Sequence, residues 1–160
     1  MELYLIRHGK PEPIKSNLSG DERALSENGK LEMIGAVSKW KKFIPPFDYI
    51  ISSPLKRAKE TALIIKDILG IKNDLIFESG LSSGMSIDEL LVLVNSLDAN
   101  SVAIVGHEPH ISRYASYLIS DGSASIFFRQ GMIVNIVFTG KVLRGAGELY
   151  YQLPTEIFKS

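Results

Sequence analysis

Leu3-Tyr4-Leu5-Ile6-Arg7-His8-Gly9 joins an apolar run of strand length directly to an arginine and a histidine. The run alternates too little for a strand with one wet face, so it predicts a strand covered on both sides, as in a parallel sheet. Ligands of open α/β sheets bind beyond the carboxyl ends of such strands, which is where Arg7 and His8 fall. Downstream, strand-length apolar runs alternate with helical periodicity, the pattern of an α/β domain around a mainly parallel sheet. Ser26 is read as the N-cap of a helix whose Met33, Val37, Trp40 and Ile44 share one face, with Pro45 and Pro46 ending it. Tyr49 to Ile51 is the next strand, and Leu55, Ala58, Ala62, Ile65 and Leu69 mark a second helix closed by Gly70. Ser86-Ile87-Asp88-Glu89 is a capping box for a third, with Leu90, Leu91, Val94 and Leu97 inward. Val102 to Val105 is another buried strand, His107 follows it, and Pro109 suits the first turn of a helix through Ile111, Ala115 and Leu118. Ile133 to Phe138 and Leu149 to Leu153 read as short strands at the sheet's edge, around a glycine-rich hairpin.

The 160 residues are read as a single domain, 1–160, long enough to bury a core without metal or disulfide help. Eighteen basic residues balance eighteen acidic ones, which argues against general affinity for nucleic acid or anionic membrane. The absence of cysteine excludes disulfides, thiolate zinc sites and a cysteine nucleophile. No apolar run approaches membrane-spanning length, and the opening residues lack the basic and long apolar regions of a signal peptide; a cytoplasmic protein is expected.

Three strand ends carry the polar residues of interest: Arg7 and His8, then Arg57 in the opening turn of the helix after Ser52-Ser53-Pro54, then His107. Side by side and parallel, these strands would bring all four side chains to one pocket. Two guanidiniums there can grip phosphoryl oxygens by paired hydrogen bonds, aided by the helix N-terminus near Pro54 to Arg57. Such a pocket wants a phosphate. Taken singly, Arg57 reads as a helix-surface arginine beside Lys56 and Glu60, and His107 as a partner for a loop carbonyl; their occurrence in order at strand ends favours the shared site. His110 lies outside these motifs, in a helix's first turn, and the three histidines lack zinc-type spacing.

These residues resemble the histidine phosphatase superfamily, and within it the short phosphohistidine phosphatases of the SixA type. The resemblance runs through Leu5-Ile6-Arg7-His8-Gly9-Lys10, Asp21, Arg23, Ala24-Leu25-Ser26 and Gly29. It continues in Ile51-Ser52-Ser53-Pro54 with Arg57, Ala58 and Thr61, in Gly106-His107-Glu108-Pro109, and in a closing segment around Gly131. It implies a three-layer α/β/α sandwich of the phosphoglycerate mutase-like kind and a covalent phosphohistidine on His8. Arg7, Arg57 and His107 would hold the phosphoryl group, and no metal or organic cofactor would be needed. A neutral imidazole is a competent nucleophile at neutral pH once one ring nitrogen is held as a donor, for which a carbonyl near Gly9 is a natural partner. Gly9 would also let the backbone come close.

The general acid is less defined. Larger members of the family use a carboxylate after the third strand region, where this chain has Glu78-Ser79-Gly80-Leu81-Ser82-Ser83-Gly84; Glu78 is the candidate, with Glu108, Glu12 and Asp21 as alternatives. A phosphorylated imidazole departs as a neutral ring, whereas an alkyl phosphate leaves as a basic alkoxide unless protonated. Weak acid machinery and short connections therefore favour phosphohistidine on a protein, of the histidine phosphotransfer or phosphocarrier type. A small phosphate ester is the alternative substrate, and a non-catalytic phospholigand-binding module the alternative from another class.

Overall fold

Leu3–Ile6 is fully buried and divides by parity: Leu3 and Leu5 enter one apolar cluster, Tyr4 and Ile6 another on the opposite face. Val102 and Ile104 against Ala103 and Val105 divide the same way. Successive strand side chains point to opposite faces, so these strands must be covered on both sides, as their sequences predict. The computed structural model describes residues 1–17 and 19–159. In chain order its main elements are β1 (Glu2–Arg7), α1 (Glu27–Trp40), β2 (Tyr49–Ser52), α2 (Lys56–Leu69), β3 (Ile76–Phe77), α3 (Gly80–Ser83), α4 (Ile87–Asn95), β4 (Ser101–Gly106), α5 (His110–Ile119), β5 (Ile133–Val137) and β6 (Glu148–Leu153). Gly20–Glu22 and Thr155–Phe158 are 3₁₀ turns.

Among the described residues the strands form one sheet of order β3-β2-β4-β1-β5-β6. β3, β2, β4 and β1 are mutually parallel, and β5 and β6 are added by antiparallel pairing. The chain moves one way along the sheet through α1 and α2, then back through α4 to insert β4. Right-handed crossovers place helices of opposite travel on opposite faces. Hence Met33, Trp40, Ala62 and Ile65 of α1 and α2 pack on one face, and Leu90, Val94, Ile111 and Leu118 of α4 and α5 on the other. The three-layer α/β/α sandwich is as expected.

Local signals act where they were read, with shifts at some ends. Ser26 Oγ accepts from Gly29 N, Ser86 and Glu89 form the capping box, and Gly70 closes α2 at φ 72°. α1 stops at Trp40 rather than running to Ile44; the amides of Phe43 and Ile44 both turn back to the Trp40 carbonyl, at 2.9 and 2.7 Å. Ile44 precedes a proline, which disfavours helical backbone there, yet its side chain is buried in the turn. Leu97 lies just past α4, half-buried, and Pro109 precedes α5 instead of joining its first turn. Between Gly70 and Ser86, β3 and α3 arise from segments too short to show periodicity. No helix among the described residues is long and apolar enough to cross a membrane.

Candidate active site

The parallel register sets three strand ends level, since Arg7 pairs with Gly106 and Ser52 with Val105. The residues that leave the sheet there, His8, Ser53 and His107, are 5%, 0% and 6% exposed. Their backbone is held before any side chain acts: His8 N donates to Gly106 O at 3.1 Å, Ser53 N to Val105 O at 3.0 Å, and Ile111 N to His107 O at 2.8 Å. Gly131 N, at φ 76°, lies 3.0 Å from the carbonyls of both Arg7 and His8.

His8 Nδ1 sits 2.7 Å from Gly9 O, a carbonyl that can only accept, so Nδ1 carries the proton and Nε2 keeps its lone pair. Arg57 Nε donates toward that Nε2 at 3.3 Å. The partner foreseen for the imidazole is therefore the one it has. Gly9 has a different reason from ligand approach: a Cβ there would meet Met33 Cγ at 2.7 Å and Leu25 Cδ2 at 3.2 Å, so the missing side chain lets α1 pack. Gly9 N in turn donates to Thr61 Oγ1 at 3.0 Å, and Thr61 Oγ1 donates to Arg57 O at 2.8 Å, tying the histidine loop to the arginine's helix.

Arg57 occupies the first turn of α2 and donates through Nη1 to Gly20 O at 2.7 Å. Glu60 Oε2 accepts from Leu25 N at 2.6 Å, fastening the same loop to α2. Arg7 Nη1 donates to Phe128 O at 2.8 Å, while its Nε is buried without a partner among the described residues. The rings of His8 and His107 lie 5.0 Å apart, tilted by 54°. His107 Nε2 is 2.7 Å from Ser53 Oγ, which is 2.8 Å from Ser82 Oγ and accepts from Leu55 N at 3.2 Å. His107 Nδ1 is buried with no partner among the described residues.

Burial, then the neighbouring positive charges, set the titration. Desolvation lowers His8 to about 3; the Gly9 carbonyl opposes this, and His107, Arg57 and Arg7 add to it. Desolvation and the charges of Arg57, His110 and Arg7 lower His107 to about 4. Burial also lowers Arg7, with Glu108 acting against it, and lowers Arg57, where Arg23 adds to the effect and Asp21 opposes it. Two neutral imidazoles among arginines are an arrangement able to seat an anion.

The four residues read from the strand ends thus meet, and the candidate acids do not join them equally. Glu78 directly follows β3, but its Oε1 accepts from Gly80 N at 2.8 Å, opening α3. Glu108 accepts from Ser112 Oγ and faces Arg7 electrostatically. Asp21 is exposed beside Arg57, and Glu12 is joined through its carbonyl to Arg23. His110 opens α5, and its ring packs where a Cβ on Gly84 would lie, 2.3 Å from that position. No cluster of three or more His, Cys, Asp or Glu side chains among the described residues could hold a metal ion. Sequence reasoning passed over the roles of Ser53, Ser82 and Thr61. The signal for Ser53 was a hydroxyl directly after a buried strand, level with a histidine on the next.

A search of curated protein sequences returns no match to this chain. Solved structures do match in fold. One is the protein histidine phosphatase SixA complexed with tungstate, 20% identical, covering 99% of this chain and 100% of that one at a TM-score of 0.87. A chain from Nakamurella multipartitia assigned as SixA is 22% identical, covering 96% of this chain and 95% of that one, TM-score 0.79. A mycobacterial glucosyl-3-phosphoglycerate phosphatase is 16% identical, covering 93% and 95%, TM-score 0.68. At these identities the likeness is one of fold. The sequence profile of the histidine phosphatase superfamily (branch 1) matches residues 3–82, half of the chain and the half that carries Arg7, His8 and Arg57. By that match and that fold, the chain belongs to the histidine phosphatase superfamily.

Proposed function

We propose that this phosphatase works through a phosphohistidine on His8 and removes phosphoryl groups from phosphohistidine on a protein. The observation that carries the reading is the state of His8: Nδ1 held at 2.7 Å by the Gly9 carbonyl, Nε2 unprotonated and facing Arg57 Nε at 3.3 Å. In the first step the Nε2–P bond forms as the P–N bond to the substrate imidazole breaks. The departing ring takes the bonding pair and leaves neutral, its distal nitrogen already protonated. Water then attacks phosphorus, the Nε2–P bond breaks, and phosphate leaves with His8 restored. Arg7, Arg57 and His107 stabilise the charge on the transferring group, where a metal ion does so in other phosphoryl-transfer sites.

The substrate choice rests on the acid. With the Glu78 carboxylate engaged at the start of α3, a leaving group that needs no strong proton donor is favoured. A histidine phosphotransfer or phosphocarrier protein in the cytoplasm, met by one domain spanning 1–160, fits this reading. The similarity in fold to a glucosyl-3-phosphoglycerate phosphatase supports the second reading, a small phosphate ester. Rapid quenching of turnover on a phosphohistidine protein is expected to trap an acid-labile phosphoenzyme. A panel ranked by kcat/KM should place that protein above sugar phosphates; efficient turnover of a sugar phosphate that collapses in Glu78→Gln would overturn the choice.

A further inference from the structure

Ser53 Oγ has one proton to give and two lone pairs, and three groups surround it: Leu55 N, His107 Nε2 and Ser82 Oγ. Leu55 N–H can only donate, so it occupies one lone pair. If Ser82 donates to the other, the Ser53 proton must point at His107 Nε2, which then accepts. A neutral imidazole that accepts at Nε2 carries its proton on Nδ1. That nitrogen diverges from Ser53 and is buried without a partner among the described residues. The reverse polarity, Nε2–H to Ser53 and Ser53 to Ser82, would leave Nδ1 a bare lone pair, with nothing to donate to a phosphoryl oxygen brought to it.

We propose that Ser53 and Ser82 are positioning residues that present His107 to the phosphoryl group as a neutral Nδ1–H donor. The proposal rests on the phosphatase reading and adds Ser82, on α3, to the reaction. Its logic lies in the choice of a hydroxyl. A carbonyl or carboxylate behind His107 would fix the proton on Nε2 and leave a donor at Nδ1 only in the cation. Burial and the charges of Arg57, His110 and Arg7 disfavour that cation, with His8 packed alongside at 5.0 Å. The hydroxyl pair gives a donor without the charge. It also explains why α3, four residues long, closes onto the strand ends.

The ring-nitrogen resonances of ¹⁵N-histidine-labelled protein, free and with inorganic phosphate, test this directly, because protonated and bare ring nitrogens resonate apart. His107 is expected to be protonated on Nδ1 in both states. Ser53→Ala should move the proton to Nε2 and weaken phosphate binding about tenfold, the scale of one hydrogen bond, and Ser53→Thr should restore both. Ser82→Ala, at a half-buried position, should give a mixture of tautomers with a smaller loss, and serves if Ser53→Ala does not fold. A proton on Nε2 in the wild type, or an unchanged tautomer in both alanine variants, would overturn the proposal. The tautomer is read without turnover, so absence of a phosphoenzyme would count against the phosphatase reading alone.

Discussion

The ends of β1 and β4 lie level on neighbouring parallel strands, and each delivers a buried histidine next to a glycine. At β1 the ring nitrogen behind His8 meets a carbonyl; at β4 the one behind His107 meets a serine hydroxyl. A carbonyl accepts and nothing else, so it fixes one tautomer and leaves a lone pair facing the site. A hydroxyl can donate, so it lets the nitrogen behind the ring stay bare and the proton sit on the other one. Two equivalent places in a fold thus acquire opposite chemistry from one atom of the partner.

Exchange of roles is the severest test of that contrast. His8→Ala is expected to remove turnover, on the order of 10⁴-fold or more, with cooperative melting retained because a strand-end residue is lost rather than core. Phosphoenzyme trapping and thermal melts check both halves; an active variant would end the distinction between the two histidines. Arg57→Ala, which takes away the guanidinium aimed at His8 Nε2, should lower kcat/KM on the order of 10²-fold. Arg57→Lys should recover little, since an ammonium keeps the charge without the planar fork. Near-normal kinetics in the lysine variant would reduce Arg57 to a surface residue.

The flanking glycines sharpen the comparison at the level of packing. A Cβ on Gly9 would lie 2.7 Å from Met33 Cγ, whereas one on Gly106 would meet Ile111 Cδ1 at an ordinary 3.5 Å. Gly9→Ala should therefore cost about 1–3 kcal/mol in urea unfolding, and Gly106→Ala within about 0.5 kcal/mol. Equal costs would show that the β1 end is no tighter than the β4 end.

The smallest effect expected is in the pH profile. With His8 lowered to about 3 and His107 to about 4, neither protonates near the usual histidine value of 6.5. Corrected for substrate ionisation, kcat/KM should be flat from about pH 5 to 7, on the acid side of which the first loss appears. Stability behaves otherwise. The unfolded chain binds protons at these histidines below about pH 6.5 and the folded one does not. Folding stability should therefore fall progressively as pH drops from 6.5 toward 3–4, by up to about 1.4 kcal/mol per pH unit for each proton. An activity limb at 6.5 would mean that one imidazole is better solvated than its burial indicates.

What the sequence disclosed was what repeats or ends sharply. The buried runs at Leu3–Ile6 and Val102–Val105, the Ser86 capping box and Gly70 each carry a local physical signal, and together they predict the layers and the four strand-end residues. The two-residue β3 and the four-residue α3 carry none, because their structure comes from pairing with β2 and from the Glu78 carboxylate at the Gly80 amide. Ser82 was hidden for the same reason: its meaning depends on Ser53, twenty-nine residues away in sequence and 2.8 Å away in space. Gly9 was legible as a requirement but not as to cause, since only the fold shows Met33 on the side where a Cβ would sit.

Thr61 gives one hydroxyl two obligations, to the Gly9 amide and to the Arg57 carbonyl. A shift of α2 therefore carries the His8 loop and Arg57 together, and the gap between them acts as a gauge. For an inhibitor chemist this divides the molecule into an anion seat of set dimensions and a surrounding wall. Affinity for the seat will be shared by any protein that keeps the same gauge. Selectivity must be sought in groups that reach past it, against the Gly20–Leu25 loop and the rim around Phe128.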